Sequence, residues 1–162
     1  MKKGLLIVSL FFVIALMTAC GGSKLSNKSS RTIEDLLDGY IIAYTKADVD
    51  VAKDIFPPYY VEYAKDRLTK ERLEKSLESA KTRYGDDFNI EYKITETTKL
   101  TDEELEELNN KMKNNYNADV DAKECYVYDG TITFKGSNRE DKDSLKSVAY
   151  CSYNGSWYLV DR

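Results

Sequence analysis

The sequence predicts an α+β domain in which N-terminal helices pack on one face of an antiparallel sheet of about four strands. Apolar residues recur at helical spacing through much of the segment 32–116. After residue 117 they fall into short strand-like runs, and Asn154-Gly155 between the last two runs is a strong hairpin signal. Helices first and hairpin-linked strands later favour an antiparallel sheet over a parallel one.

The helical spacing of apolar residues in the segment 32–116 divides into five helical segments. The first begins after Thr32, an N-cap with an acidic residue three positions later. A second ends at Pro57-Pro58, because neither proline can donate to a helix ladder. A short turn at 59–65 and two helices capped by Thr69 and Thr101 follow. The apolar stripes of the four longer segments are Ile33, Leu36, Leu37, Tyr40, Ile41 and Tyr44; Val51, Ala52, Ile55 and Phe56; Leu73, Leu77, Ala80 and Tyr84; and Leu105, Leu108, Met112 and Tyr116.

Four segments are predicted as strands, namely 88–95, 124–135, 145–153 and 157–160. The first alternates strictly between apolar and polar residues, as a strand with one buried face should. Asp129-Gly130 is either a turn that divides the second segment or a bulge inside one long strand, and we favour the bulge.

Composition limits the classes of function open to the chain. Its 162 residues include no histidine, so histidine-based triads, cysteine–histidine dyads and the usual zinc sites lack a key residue. The 24 basic and 28 acidic residues become 22 and 28 without Lys2 and Lys3, a net charge of about −6 that a phosphate backbone would repel. We expect no catalytic residue, no metal, no cofactor and no nucleic-acid partner.

Residues 1–19 have the pattern of an export signal. Lys2 and Lys3 form a short positive segment, and an apolar run of 13 residues follows from Leu5 to Met17. As a helix that run would cover roughly 20 Å, short of the roughly 30 Å hydrocarbon core of a bilayer. The pattern therefore favours a signal helix over a permanent membrane span.

The run ends in Met17-Thr18-Ala19-Cys20, which resembles the lipobox of bacterial lipoproteins, although Met17 stands where leucine is usual. The resemblance implies a diacylglyceryl group on Cys20 and cleavage after Ala19. The alternative is an ordinary secretory signal with a chance cysteine. Residues 20–31 would then comprise the lipidated cysteine and a flexible tether, with a reach on the order of 18 Å. The single domain, residues 32–162, would lie at the extracytoplasmic face of the cell membrane.

The succession of elements is similar to the nuclear-transport-factor-2-like, or cystatin-like, superfamily. Two local features carry the resemblance: the Phe56-Pro57 break and a closing Gly-x-Trp-x-Leu-Val strand that begins at Gly155. Small lipoproteins of Gram-positive bacteria often carry such a domain. The resemblance covers roughly residues 31–162 and implies a curved sheet that wraps the helices into a cone. It implies no activity, since the superfamily mixes enzymes with inert binding domains.

Cys125 and Cys151 are the cysteines left after lipidation, and both fall in predicted strands. They either form a cross-strand disulfide, which an exported location permits, or remain two free buried thiols. The 13 tyrosines could line a pocket for a ring-bearing ligand or fill the core. Core filling is favoured for Tyr40, Tyr44 and Tyr92, and also for Trp157.

Two hypotheses for function follow. The first is a non-catalytic, lipid-tethered domain that binds a protein or another component of the cell envelope, with the membrane as its other partner. The second is a small-molecule site, receptor-like or isomerase- or hydrolase-like, in the mouth of the cone. An open cavity, and whether it holds a buried carboxylate, distinguishes them.

Overall fold

The computed structural model describes residues 27–161, so the predicted signal, Cys20 and residues 21–26 of the tether lie outside the described part. The elements run in the order α1 (Ile33–Thr45), α2 (Val49–Ile55), α3 (Pro58–Tyr63), α4 (Lys70–Tyr84), β1 (Asn89–Lys99), α5 (Asp102–Tyr116), β2 (Glu124–Lys135), β3 (Glu140–Ser144), a 3-10 turn (Leu145–Ser147), β4 (Val148–Tyr153) and β5 (Ser156–Asp161). The predicted α+β class is confirmed. Within residues 27–161, no helix has the length and apolar character needed to cross a membrane.

The sheet is built around β2, the long central strand. All its pairings are antiparallel, and the sheet is an open one in the order β1-β2-β4-β5. A fifth strand, β3, pairs with the second half of β2 beside the start of β4. Four strands were predicted, and β3 was missed because its sequence, Glu-Asp-Lys-Asp-Ser, has neither apolar alternation nor strand propensity.

The register of β1 explains the Asp129-Gly130 signal. Strand β2 runs through these two residues without a turn, whereas the pairing shifts on β1 between Ile94 and Glu96. The expected irregularity is therefore at this position, but the extra residue belongs to β1 and not to β2. A Cβ atom on Gly130 would lie 2.2 Å from the carbonyl oxygen of Lys93, so glycine permits the close approach of the two strands.

Helix starts follow the capping residues. Thr32 and Thr101 each complete a capping box with the acidic side chain three residues later. Asp48 caps α2 by accepting a hydrogen bond from the backbone of Val51, at 3.1 Å. The hairpin at Asn154-Gly155 is present, and both residues have the positive φ that such a turn requires.

Buried residues form three hydrophobic clusters. The first joins Leu108 and Met112 of α5 to the alternate strand residues Cys125, Cys151 and Val160. The second joins α1 to the opposite side chains of the same strands: Ile33, Leu36, Leu37, Ile55, Tyr128, Tyr150 and Leu159. The third lies among the helices and contains Ala43, Ala47, Ala52, Ala64, Leu68 and Leu73.

The first two clusters occupy opposite faces of the sheet, because neighbouring strand residues point in opposite directions. The expectation that all helices pack on one face is therefore wrong for α5. The thin apolar stripe of that helix needs only a narrow surface, and small strand residues such as Ala149 provide one.

Residues at the end of the predicted tether contact the domain. The carbonyl oxygen of Lys28 accepts a hydrogen bond of 2.9 Å from the backbone N–H of Trp157, on the edge strand. Arg31 is only 4% exposed, and its guanidinium is ion-paired with Asp54. The hydroxyl of Tyr150 donates to the Arg31 carbonyl. The chain is therefore already held against the edge of the sheet at residues 28–31, just before the predicted start of the domain at Thr32.

Candidate functional site

A cavity of about 300 Å³, here called the tyrosine cavity, lies where the three clusters meet. Its wall combines side chains from α1, α3, α5, the sheet and the segments that join them. The lining residues are Leu37, Tyr40, Tyr44, Phe56, Pro57, Tyr59, Tyr60, Met112, Tyr116, Ile132, Phe134, Asp143, Ser144, Leu145, Val148, Leu159 and Val160. The three hydrophobic clusters meet at this point, and their side chains do not fill the space between them.

The local sequence places the tyrosines. Tyr40 and Tyr44 lie one turn apart on α1, with ring centroids 4.5 Å apart. Pro57 follows the end of the preceding segment and caps α3, which begins at Pro58 and has Tyr59 and Tyr60 in its first turn. The rings of these two residues lie 5.4 and 5.8 Å from the ring of Tyr116 on α5. Aromatic contacts therefore connect α3 to α5 across the cavity wall.

The hydroxyls of Tyr40, Tyr44 and Tyr59 have no hydrogen-bond partner among residues 27–161. In the same part of the chain, no fully buried side-chain nitrogen or oxygen lacks a partner. Each of these three hydroxyls therefore has some surface that water can reach, and all three residues line the cavity. They provide hydrogen-bonding groups in a wall that is otherwise mostly apolar.

These hydroxyls are neutral at physiological pH. Burial raises the pKa of Tyr40 and of Tyr59 well above the ordinary value of 10.0, and neighbouring tyrosines add to the rise. Burial also raises the pKa of Tyr44. Each hydroxyl can consequently donate one hydrogen bond and accept others.

The charged component of the lining is one carboxylate, that of Asp143, at the end of β3. Asp143 and the adjacent Ser144 are exposed, so they mark the rim of the cavity. One oxygen of the Asp143 carboxylate accepts a hydrogen bond of 2.7 Å from the backbone N–H of Ser144. No lysine or arginine occurs among the lining residues given above.

A second space of about 270 Å³, the side cavity, shares Tyr40, Tyr44 and Phe134 with the tyrosine cavity. Arg83 lies in its wall, and its guanidinium is 2.8 Å from a carboxylate oxygen of Asp141. Asp141 also accepts hydrogen bonds from Tyr84 and Arg139, and the latter contributes most to holding the pKa of that carboxyl below its ordinary value. The arginine of the side cavity is therefore already ion-paired within the protein, with a carboxylate that it shares with Arg139.

Cys125 and Cys151 stand directly opposite each other in β2 and β4, and they form a disulfide with a Cα–Cα distance of 4.2 Å. Both are 1% exposed and pack in the cluster that includes Met112. The disulfide therefore lies in the core, away from solvent.

The four aromatic residues expected to fill the core separate into two groups. Tyr40 and Tyr44 line the tyrosine cavity, whereas Tyr92 donates a hydrogen bond to Asp38 and Trp157 stacks on Tyr150 at 4.2 Å. Tyr59, Tyr60 and Tyr116 complete the cavity wall; of these, the sequence pattern indicates only Tyr116, as part of an apolar helix stripe. The aromatic pair directly after Pro57-Pro58 was the signal that could have indicated two of them.

Among the described residues, no group of three or more cysteine, aspartate or glutamate side chains is arranged to hold a metal ion. Comparisons of the chain with protein-family models, with curated proteins and with solved structures found no match.

Proposed function

We propose that this chain is a lipid-anchored, non-catalytic protein at the extracytoplasmic face of the cell membrane, and that it binds a small organic molecule in the tyrosine cavity. The observation that carries the proposal is the cavity itself, where seven aromatic rings line a space of about 300 Å³. That volume lies at the lower end of the range for ligand sites, which suits a molecule of about one ring.

The chemistry of the lining supports binding over catalysis. An isomerase-like general base would need a buried carboxylate with a raised pKa. The carboxylate in this lining, Asp143, is exposed at the rim. Cys125 and Cys151 are joined in a disulfide and so present no thiol nucleophile.

The proposed anchor rests on the Met17-Thr18-Ala19-Cys20 pattern. Because Lys28 and Arg31 are held on the domain, the segment between the proposed lipid on Cys20 and the domain is shorter than the predicted tether of residues 20–31. The domain would therefore remain close to the membrane surface.

A Cys20→Ala variant tests the anchor. We expect it to escape cleavage after Ala19 and to lose the lipid modification, because the substituted residue has no sulfur to carry it. Mass spectrometry of the intact chain measures both changes. A Cys20→Ala chain that is still cleaved after Ala19 and still partitions with membranes would contradict the anchor.

The tyrosine cavity is tested by what the full chain retains during purification. The chain is extracted from host membranes in a maltoside detergent, and its bound small molecules are identified by mass spectrometry. We expect a molecule in the wild type that is depleted severalfold in Tyr60→Ala, because that variant removes a ring from the wall. Tyr63→Ala is the matched control, since Tyr63 lies on the same helix but is 57% exposed and outside the lining.

Thermal unfolding of both variants shows whether they remain folded. If folded Tyr60→Ala retains the same molecules as the wild type, the cavity is not the binding site. Attention would then move to protein partners of the exposed surface.

A further inference from the structure

The composition of the tyrosine cavity restricts the chemistry of its ligand, an inference that rests on the proposed function. The wall offers seven aromatic rings, a set of aliphatic side chains, tyrosine hydroxyls and one carboxylate. It offers no basic group, and the arginine of the neighbouring side cavity is paired with Asp141. Within this wall an anion would therefore meet a carboxylate and aromatic faces, and no lining residue carries a positive charge to balance it.

A free sugar also fits this wall poorly. Each sugar hydroxyl that leaves water needs a hydrogen-bond partner, or it costs roughly 1–3 kcal/mol. Among the lining residues, only the tyrosine hydroxyls, Ser144 and Asp143 have polar side chains. A ligand with a large apolar surface and few polar groups matches the wall better.

Asp143 places a negative charge at the rim of the cavity. It is an acidic residue between two lysines, yet both lysines are paired elsewhere: Lys142 with Glu140 at 3.0 Å and Lys146 with Asp129 at 3.2 Å. The carboxylate of Asp143 accepts from a backbone N–H but forms no ion pair within the described residues. Its negative charge is therefore available at the rim of an aromatic cavity.

From this complementarity we propose that the ligand is a small organic cation, such as an alkylated ammonium group on a short apolar chain. The aromatic walls attract a cation through their ring quadrupoles, and Asp143 provides the counter-charge. A quaternary or alkylated ammonium has few hydrogen bonds to lose on leaving water, which suits a wall with few polar groups.

Three small probes of nearly the same shape test this proposal: choline, uncharged 3,3-dimethylbutan-1-ol and anionic 3,3-dimethylbutanoate. Binding of each to the full chain in maltoside micelles is measured by ligand-observed nuclear magnetic resonance titration. We expect choline to bind about tenfold more tightly than the alcohol, the size of effect expected for a partly desolvated cation–π site. Binding of the anion should be the weakest.

Asp143→Asn keeps the shape of the rim and removes its charge. We expect it to weaken choline binding about fivefold and to leave binding of the alcohol unchanged, since a rim charge contributes modestly. Glu107→Gln removes one negative charge from an exposed position on α5 outside the lining, without releasing a lysine beside Asp143, and we expect it to change neither.

The outcomes separate this inference from the proposed function. If the alcohol binds as tightly as choline and Tyr60→Ala abolishes both, the cavity is a binding site but its ligand is not a cation. If choline responds equally to Asp143→Asn and Glu107→Gln, its attraction is to the general charge of the protein, and the assignment of Asp143 is overturned. If none of the three probes binds, the cation inference fails, and the co-purification experiment alone decides the proposed function.

Discussion

Tyrosine has different surroundings in two regions of the molecule. On the sheet, Tyr92, Tyr126 and Tyr150 donate their hydroxyls to Asp38, Glu124 and the carbonyl of Arg31. Around the tyrosine cavity, the hydroxyls of the helix residues Tyr40, Tyr44 and Tyr59 have no such partner within residues 27–161.

The comparison distinguishes stability from binding. A hydroxyl that is satisfied inside the protein contributes to folding and has little left to offer a ligand. A hydroxyl that reaches a cavity contributes little to folding and remains available for a ligand. We therefore expect substitutions in the sheet region to change the free energy of unfolding, and substitutions at the cavity to change binding.

The largest effect on stability should come from the disulfide of the sheet region. Replacing both Cys125 and Cys151 by alanine removes a cross-link between residues 26 positions apart. The chain-entropy relation for a loop of that length gives a loss of roughly 3.5 kcal/mol in the free energy of unfolding. Chemical denaturation of the double variant beside the wild type measures the difference.

Reduction of the wild type should reproduce most of this loss, which separates the cross-link from the packing of the sulfur atoms. Equal stabilities of the oxidised wild type, the reduced wild type and the double variant would show that the cross-link does not stabilise the sheet region. The binding measurements at the tyrosine cavity provide the other half of the comparison.

The next effect in size concerns the buried end of the tether. Asp54→Ala leaves the guanidinium of Arg31 with one fewer acceptor, although that side chain is only 3% exposed. Because the carboxylate itself is 29% exposed, we expect a loss of about 2–3 kcal/mol, somewhat below that for a fully buried pair. The free energy of unfolding of the full chain again measures it.

Lys28→Ala is the matched control, because Lys28 pairs with the same carboxylate at 2.6 Å but is 45% exposed. We expect it to cost under about 1 kcal/mol. Similar losses for Asp54→Ala and Lys28→Ala would mean that Arg31 does not depend on Asp54. The stability of the domain would then not depend on the ion pair between Arg31 and Asp54.

The elements that depend on local sequence were predictable. The helix starts at Thr32 and Thr101 and the hairpin at Asn154-Gly155 were expected, because capping and turn chemistry act over three or four residues. Strand β3 was not predictable from local sequence. Its residues are charged or polar, and only pairing with β2 holds them in the sheet. Whether Cys125 and Cys151 are bonded was left open because it depends on a register that the sequence does not specify.

The tyrosine cavity was harder to predict than the fold. Tyr40 and Tyr44 were recognised as inward-facing, but inward-facing residues usually fill a core. The space arises because three clusters meet, and their meeting depends on α5 lying across the sheet from α1. No pattern within one element carries that information.

The smallest expected effect on stability comes from replacing one tyrosine by phenylalanine. It is the sharpest test of the comparison, because the same hydroxyl can be removed in the sheet region and at the tyrosine cavity. Tyr150→Phe removes a buried hydroxyl that donates to the Arg31 carbonyl, and we expect it to lower the free energy of unfolding by about 1–2 kcal/mol. Tyr44→Phe removes a hydroxyl of the tyrosine cavity, and we expect a change within about 0.5 kcal/mol. Chemical denaturation of the two variants beside the wild type measures both values.

Binding should respond in the opposite order. Tyr44→Phe should weaken a ligand that hydrogen-bonds to the Tyr44 hydroxyl, such as one that carries an alcohol group, whereas Tyr150→Phe should leave binding unchanged if the variant is folded. If Tyr44→Phe instead cost as much stability as Tyr150→Phe, the Tyr44 hydroxyl would have to be satisfied inside the protein. The tyrosine cavity would then be a gap in the packing, and the search for a ligand there would lose its physical basis.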